Sequence, residues 1–105
     1  MELREYLEKA CVLGASDLFI IAGLPLTCKV NGSMVHIDEE RMMPEDTAKI
    51  IQEIYRLVPE HHLDVLQRKG DDDFSFSIPH LARFRASIYK QRGSLAAENL
   101  PRWPA

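Results

Sequence analysis

The chain has 105 residues, of which 46% are hydrophobic and 28% charged, with a formal net charge of −3 and two cysteines. That length supports one core, the composition excludes a disordered tail, and the acidic balance argues against a protein that works on nucleic acid. No apolar run reaches the roughly 20 residues of a membrane span. Glu2, Glu5 and Glu8 are out of place in a signal peptide, so a cytoplasmic protein with Cys11 and Cys28 reduced is expected.

In chain order, Leu3, Tyr6, Leu7, Ala10 and Cys11 recur at the spacing of one helical face, and Gly14 stands where that helix would stop. Ser16 to Ile21 reads as a short buried strand, turned by Gly23-Leu24-Pro25. Leu26, Cys28 and Val30 then alternate with Thr27 and Lys29. Asn31-Gly32 follows at once and predicts a hairpin, with Ser33 to Ile37 as the partner strand. Pro44 opens a second helix, with Glu45 and Asp46 in its first turn and a stripe of Thr47, Ile50, Ile51, Ile54 and Val58. Pro59 is expected to end that helix and to begin a third, which buries Leu63 and Leu66 and stops at Gly70.

Asp73 to Ile78 alternates polar with apolar residues, as a strand with one buried face does. After the Pro79-His80 turn, Phe84, Ala86 and Ile88 fall on one face, and Arg83, Arg85, Ser87 and Tyr89 on the other. Both guanidiniums therefore leave the same side, about 7 Å apart at the backbone. Arg92, in the Gln91-Arg92-Gly93 turn, adds a third. Fixed guanidinium forks suit an anion such as phosphate. The plainer reading is a solvated face bridged to Asp71, Asp72 or Asp73. Ser94 to Ala97 starts a last strand. Residues 98–105 hold two prolines, which a ladder rejects, and are expected to fray as a vector-derived or frame-altered end. The order of elements predicts one α+β domain, an antiparallel sheet covered by helices.

Catalytic signals are missing from this pattern. There is no glycine-rich phosphate loop, and Gly14, Gly23, Gly32, Gly70 and Gly93 read as punctuation. His36, His61, His62 and His80 are scattered, and no metal site is expected. Asp71-Asp72-Asp73 reads as a solvated junction, and Met34, Met42 and Met43 as ordinary packing. By residues alone the chain is a soluble binding or interaction module and not an enzyme.

Specific strings add to this. Gly14-Ala15-Ser16-Asp17-Leu18 with Ala22-Gly23-Leu24-Pro25, then Lys29-Val30-Asn31-Gly32, resemble the opening blocks of the PilT-type twitching-motility ATPases. Asp73-Phe74-Ser75-Phe76, Ala82-Arg83-Phe84-Arg85 and Gln91-Arg92-Gly93-Ser94-Leu95-Ala96-Ala97 resemble that family's next blocks in the same order. These are the type IV pilus retraction ATPases of the type II/IV secretion ATPase superfamily. The resemblance implies a PAS-like N-terminal domain over residues 1–97, a twisted antiparallel sheet flanked by helices, with 98–105 as a tail outside the family pattern. It implies a RecA-like domain beyond it carrying the Walker motifs, ATP and Mg, and assembly as a homohexamer at the pilus base on the inner membrane. By position, Arg83, Arg85 and Arg92 would reach the nucleotide held by that catalytic domain. This chain itself would hold no cofactor and would meet the membrane only through partners. Two residues depart from the family: Phe19 stands where histidine is common, and Lys29 replaces an arginine and loses its bidentate fork. The alternative is a free-standing PAS-like sensor or adaptor that binds a small ligand or a protein. A nucleic-acid binder using the arginine strand is disfavoured by the acidic balance.

Overall fold

The computed structural model describes residues 2–103. The first apolar stripe folds as α1 (Leu3–Leu13), burying Leu3, Tyr6, Leu7 and Ala10, and stops at Gly14 in the left-handed conformation with φ 68°. Strand β1 (Asp17–Ile20) follows. A tight hairpin then joins β2 (Thr27–Val30) to β3 (Ser33–His36), with Asn31 and Gly32 both at positive φ as its two-residue turn requires. Helix α2 (Pro44–Arg56) begins at its proline, and the Asp46 carboxylate accepts the Met43 N–H at 2.7 Å. Thr47, Ile50, Ile51 and Ile54 form its buried stripe.

Pro59 does not begin the next helix. A turn separates the two, and α3 (Leu63–Lys69) starts four residues later, burying Leu66 and half-burying Leu63 before Gly70 ends it. The chain then runs out as three long strands, β4 (Asp71–Ile78), β5 (Ala82–Gln91) and β6 (Ser94–Arg102). The result is an α+β domain with one six-stranded sheet, in the order β3-β2-β1-β6-β5-β4, every neighbouring pair antiparallel.

All three helices share one core with Leu18, Ile20, Cys28, Phe74, Phe76, Ile78, Phe84, Ala86, Ile88 and Ala97 of the sheet. Tyr6 is fully buried in it, and its hydroxyl donates to the Thr27 carbonyl at 2.7 Å. Burial drives the Tyr6 hydroxyl far above its usual pKa, so it stays a donor. Phe84 stacks on Phe76 at 5.0 Å. Of Met34, Met42 and Met43, Met42 is packing material, whereas Met34 and Met43 are exposed. No helix among the described residues is long and apolar enough to cross a membrane.

The expected frayed tail is not what residues 98–103 form. Residues 98–102 complete β6, the strand lying between β1 and β5. Pro101 is tolerated because of where its missing N–H would point. The two-residue turn at Arg92-Gly93 makes Gln91 and Ser94 a hydrogen-bonded pair, so the even-numbered residues of β6 bond to β5 and the odd-numbered ones face β1. Pairing with β1 ends at Leu18 opposite Asn99, so Pro101 faces a side with no strand to bond. Trp103 then fastens the end of the chain: its indole N–H donates to the Ala15 carbonyl at 2.8 Å, and its ring meets Phe84 edge-on at 5.6 Å. Residues 104 and 105 of the expected tail lie outside the described residues.

Asn99 carries an unmet cost within that strand. It is fully buried between Leu18 and Ala86, and neither polar atom of its amide has a hydrogen-bond partner. Replacing it with leucine, of similar volume, is expected to stabilise the fold by about 1–3 kcal/mol. A thermal melt checks this: the midpoint of Asn99→Leu rises, and a lower midpoint would mean that the amide is satisfied.

Candidate functional site

The helices leave the second face of the sheet open, and the arginines stand on it. Arg83 and Arg85 are exposed on β5, alternating with the buried Phe84 and Ala86. Across the ladder from them on β4 stand Ser77 and Ser75, while Asp73 faces Ser87 and Asp71 faces Tyr89. The acids available to neutralise the arginines are therefore displaced toward the other end of the strand. Asp73 is further engaged by the Ser87 hydroxyl, which donates to it at 2.6 Å. Among the described residues no carboxylate lies within salt-bridge distance of Arg83, Arg85 or Arg92.

Asp72 departs from the expected solvated run. It points into the core, where it accepts the Tyr55 hydroxyl at 2.9 Å and lies 3.4 Å from His61 Nδ1. Burial, and then the Asp72 carboxylate, hold Tyr55 well above its ordinary pKa, so it remains protonated and donates. This pairing locks the end of α2 to β4 and is structural.

A third guanidinium joins the first two from an unexpected place. Arg102, on the strand read as a tail, lies directly opposite Arg83 across the β5–β6 ladder, with the exposed Leu100 opposite Arg85. Its only sequence signal is the period-two run of Glu98, Leu100 and Arg102. Like charges on facing positions repel. A corner that keeps three of them with no carboxylate bridged to them among the described residues holds a field that suits a polyvalent anion.

Arg92 does not belong to this corner. It sits in the β5–β6 turn at the far end of β5, and nine residues of strand separate it from Arg83 by about 30 Å. There it lines a hollow of about 450 Å³ with Arg41, beside the exposed Met43 at the start of α2. Its backbone is at φ 52°, a conformation uncommon for a side chain of this size. The three arginines singled out in the sequence therefore form two separate sites.

Between them the open face turns acidic. Glu98 lies across from Phe19 and beside Asp17. Burial, then its hydrogen bond to and repulsion from Asp17, raise the Glu98 carboxyl above its ordinary pKa, with Lys29 opposing. The face thus offers charge of both signs. Among the described residues no group of three or more His, Cys, Asp or Glu could hold a metal ion. What the arrangement can do is bind and orient a charged surface.

Comparison with known proteins fits this picture. No protein-family model matches the chain. It is 30% identical, over 97 residues, to the type IV pilus retraction ATPase PilT of Pseudomonas aeruginosa, covering 92% of this chain and 27% of that protein. It is 30% identical to the type IV pilus ATPase PilU of the same organism, over 88% of this chain and 23% of that protein. A crystal structure of the pilus retraction motor PilT with bound ADP superposes with a TM-score of 0.84 and 37% identity, covering all of this chain and 30% of that one. The chain thus spans less than a third of the length of the relatives it matches.

Proposed function

The chain is a homologue of the N-terminal region of the PilT-type ATPases of the type IV pilus, within the secretion ATPase family, and from that premise we propose that it serves as the non-catalytic N-terminal domain of a pilus-retraction motor. In this reading a RecA-like domain of the same protein holds ATP and Mg, and the assembled enzyme is a homohexamer working in the cytoplasm at the pilus base. The N-terminal domain contributes contacts between domains and between subunits.

The observation that carries the reading is the corner of Arg83, Arg85 and Arg102, without an ion-pair partner among the described residues, on an uncovered sheet face in a chain that matches this region of PilT over its full length. Arg83 and Arg85 meet the phosphates of the nucleotide held by the catalytic domain. Arginine stays charged and its fork matches phosphate oxygens, so it stabilises charge on the transferring group. Arg92 reaches a second nucleotide or subunit face, since a single nucleotide cannot span about 30 Å of strand to touch both ends. In this reading ATP turnover belongs to the RecA-like domain, and this region acts on it through contacts. The test is ATP turnover by a full-length enzyme carrying this region, with Arg85 or Arg92 replaced by alanine.

A further inference from the structure

The hollow beside Arg92 has fixed walls. The Gly23 N–H donates to the Met42 carbonyl at 2.8 Å, and the Met42 N–H to the Leu24 carbonyl at 3.0 Å. These two bonds clamp the segment after β1 to the segment before α2, and the β5–β6 turn supplies a third side. Ala22, Gly23 and Ala96 make the room, because their side chains are small or absent. The volume of about 450 Å³ falls within the roughly 300–1,000 Å³ of small-ligand sites.

Two chemistries meet in it. Ile21, Met43, Pro44 and Ala96 are apolar, and Arg41 and Arg92 supply two guanidiniums. Among the described residues no carboxylate lines the hollow, and none lies within ion-pair distance of either arginine. Arg41 also borders a neighbouring hollow that holds Glu2, Glu5, Asp38 and Glu40, and among the described residues it bridges to none of them. Nor does the turn itself call for Arg92: its φ of 52° suits asparagine or glycine better than a long side chain. The start of α2 is not the attraction, because Asp46 already caps it with a carboxylate.

We infer that this hollow binds a purine nucleoside monophosphate. Charge sets the head. A phosphomonoester carries about −1.5 to −2 near pH 7, which two guanidiniums balance, whereas a triphosphate brings more charge than they meet. The apolar wall sets the body. Arginine stacks on aromatic faces and the thioether of the exposed Met43 favours a ring, so a purine gains from both. The Gln91 amide and the Ser94 hydroxyl add hydrogen-bonding groups for a base edge or a ribose. An inorganic anion leaves the wall unused, and an uncharged apolar molecule would desolvate the guanidiniums without pairing them. This nucleotide is distinct from the one that Arg83 and Arg85 meet, since the two sites stand at opposite ends of β5. For its part in a motor the site rests on the function proposed above; the binding is a property of this chain alone.

Titration of the isotope-labelled 105-residue chain with AMP and, separately, GMP, followed by amide shifts, tests this. Saturable shifts are expected at residues 21–24, 41–43 and 91–96, with at least one nucleotide binding about tenfold tighter than its nucleoside or inorganic phosphate. Arg92→Asn keeps the turn, since asparagine tolerates its conformation, and is expected to weaken binding about tenfold with an unchanged melt. Arg41→Gln should do the same, and the two together should abolish saturation. No saturable shift with either nucleotide, shifts confined to Arg83, Arg85 and Arg102, inorganic phosphate binding as tightly as the nucleotide, or variants that bind as the wild type does would overturn the inference. The motor reading is tested apart from this, by turnover of the full-length enzyme with Arg85→Ala.

Discussion

A chain ended after Ala97 is expected to show no cooperative thermal transition, whereas the 105-residue chain should melt cooperatively. Residues 98–103 include more than half of β6, the strand that joins both halves of the sheet. Removing them takes away the pairing of Leu18 with Asn99 and of Phe19 with Glu98, and unzips β5 from Ser87 to Arg83. It also removes Trp103, and with it the edge contact to Phe84 and the hydrogen bond to Ala15. A small domain stands only about 5–15 kcal/mol above its unfolded state. Losing a fully buried aromatic costs about 3–5 kcal/mol; the half-buried Trp103 contributes part of that, and the exposed edges of β1 and β5 add to it. Far-UV circular dichroism against temperature decides the matter. A sharp transition in the chain ended at Ala97 would mean that β6 is dispensable beyond that residue.

In a full-length ATPase carrying this region, Arg85→Ala is expected to lower the turnover number about a hundredfold, the scale of losing one fixed donor to transition-state charge. Such a donor acts on charge that develops during phosphoryl transfer, so KM should change far less than kcat. Arg85→Lys should recover only part of the loss, because a single ammonium cannot reproduce the fork. Neither change should disturb folding, since the side chain is exposed. Arg92→Ala tests the far end of the strand separately, and turnover should fall there too while the melt is preserved. Wild-type rates in both alanine variants would end the nucleotide-contact reading.

Much of the fold was legible wherever local chemistry and tertiary context agree. Gly14 caps α1 in the conformation only glycine adopts freely, Asn31-Gly32 closes its hairpin, and Pro44 opens α2. The β4 and β5 alternation put Arg83 and Arg85 on the open face, where they stand. The misreadings came where the deciding partner is far along the chain. Pro101 argued against a strand, and only the end of β1 some 80 positions earlier makes it harmless. With that strand missed, Arg102 and the buried Asn99 were missed too. Arg92 was grouped with the other arginines by its nearness in sequence, but a strand is the most extended form of the chain and set it at the opposite end. Asp72 was read as one of three solvated acids, although period-two alternation already placed it on the buried side, and Tyr55 supplies the donor that lets it stay there.

The most direct test of the motor-domain reading is the mass of the protein in the source cell, read by immunoblot with an antibody raised to this domain. A band several times heavier than 12.0 kDa is the expected result, as the relatives' lengths imply. A single band at 12.0 kDa would contradict it and leave a free-standing domain in place of a motor part.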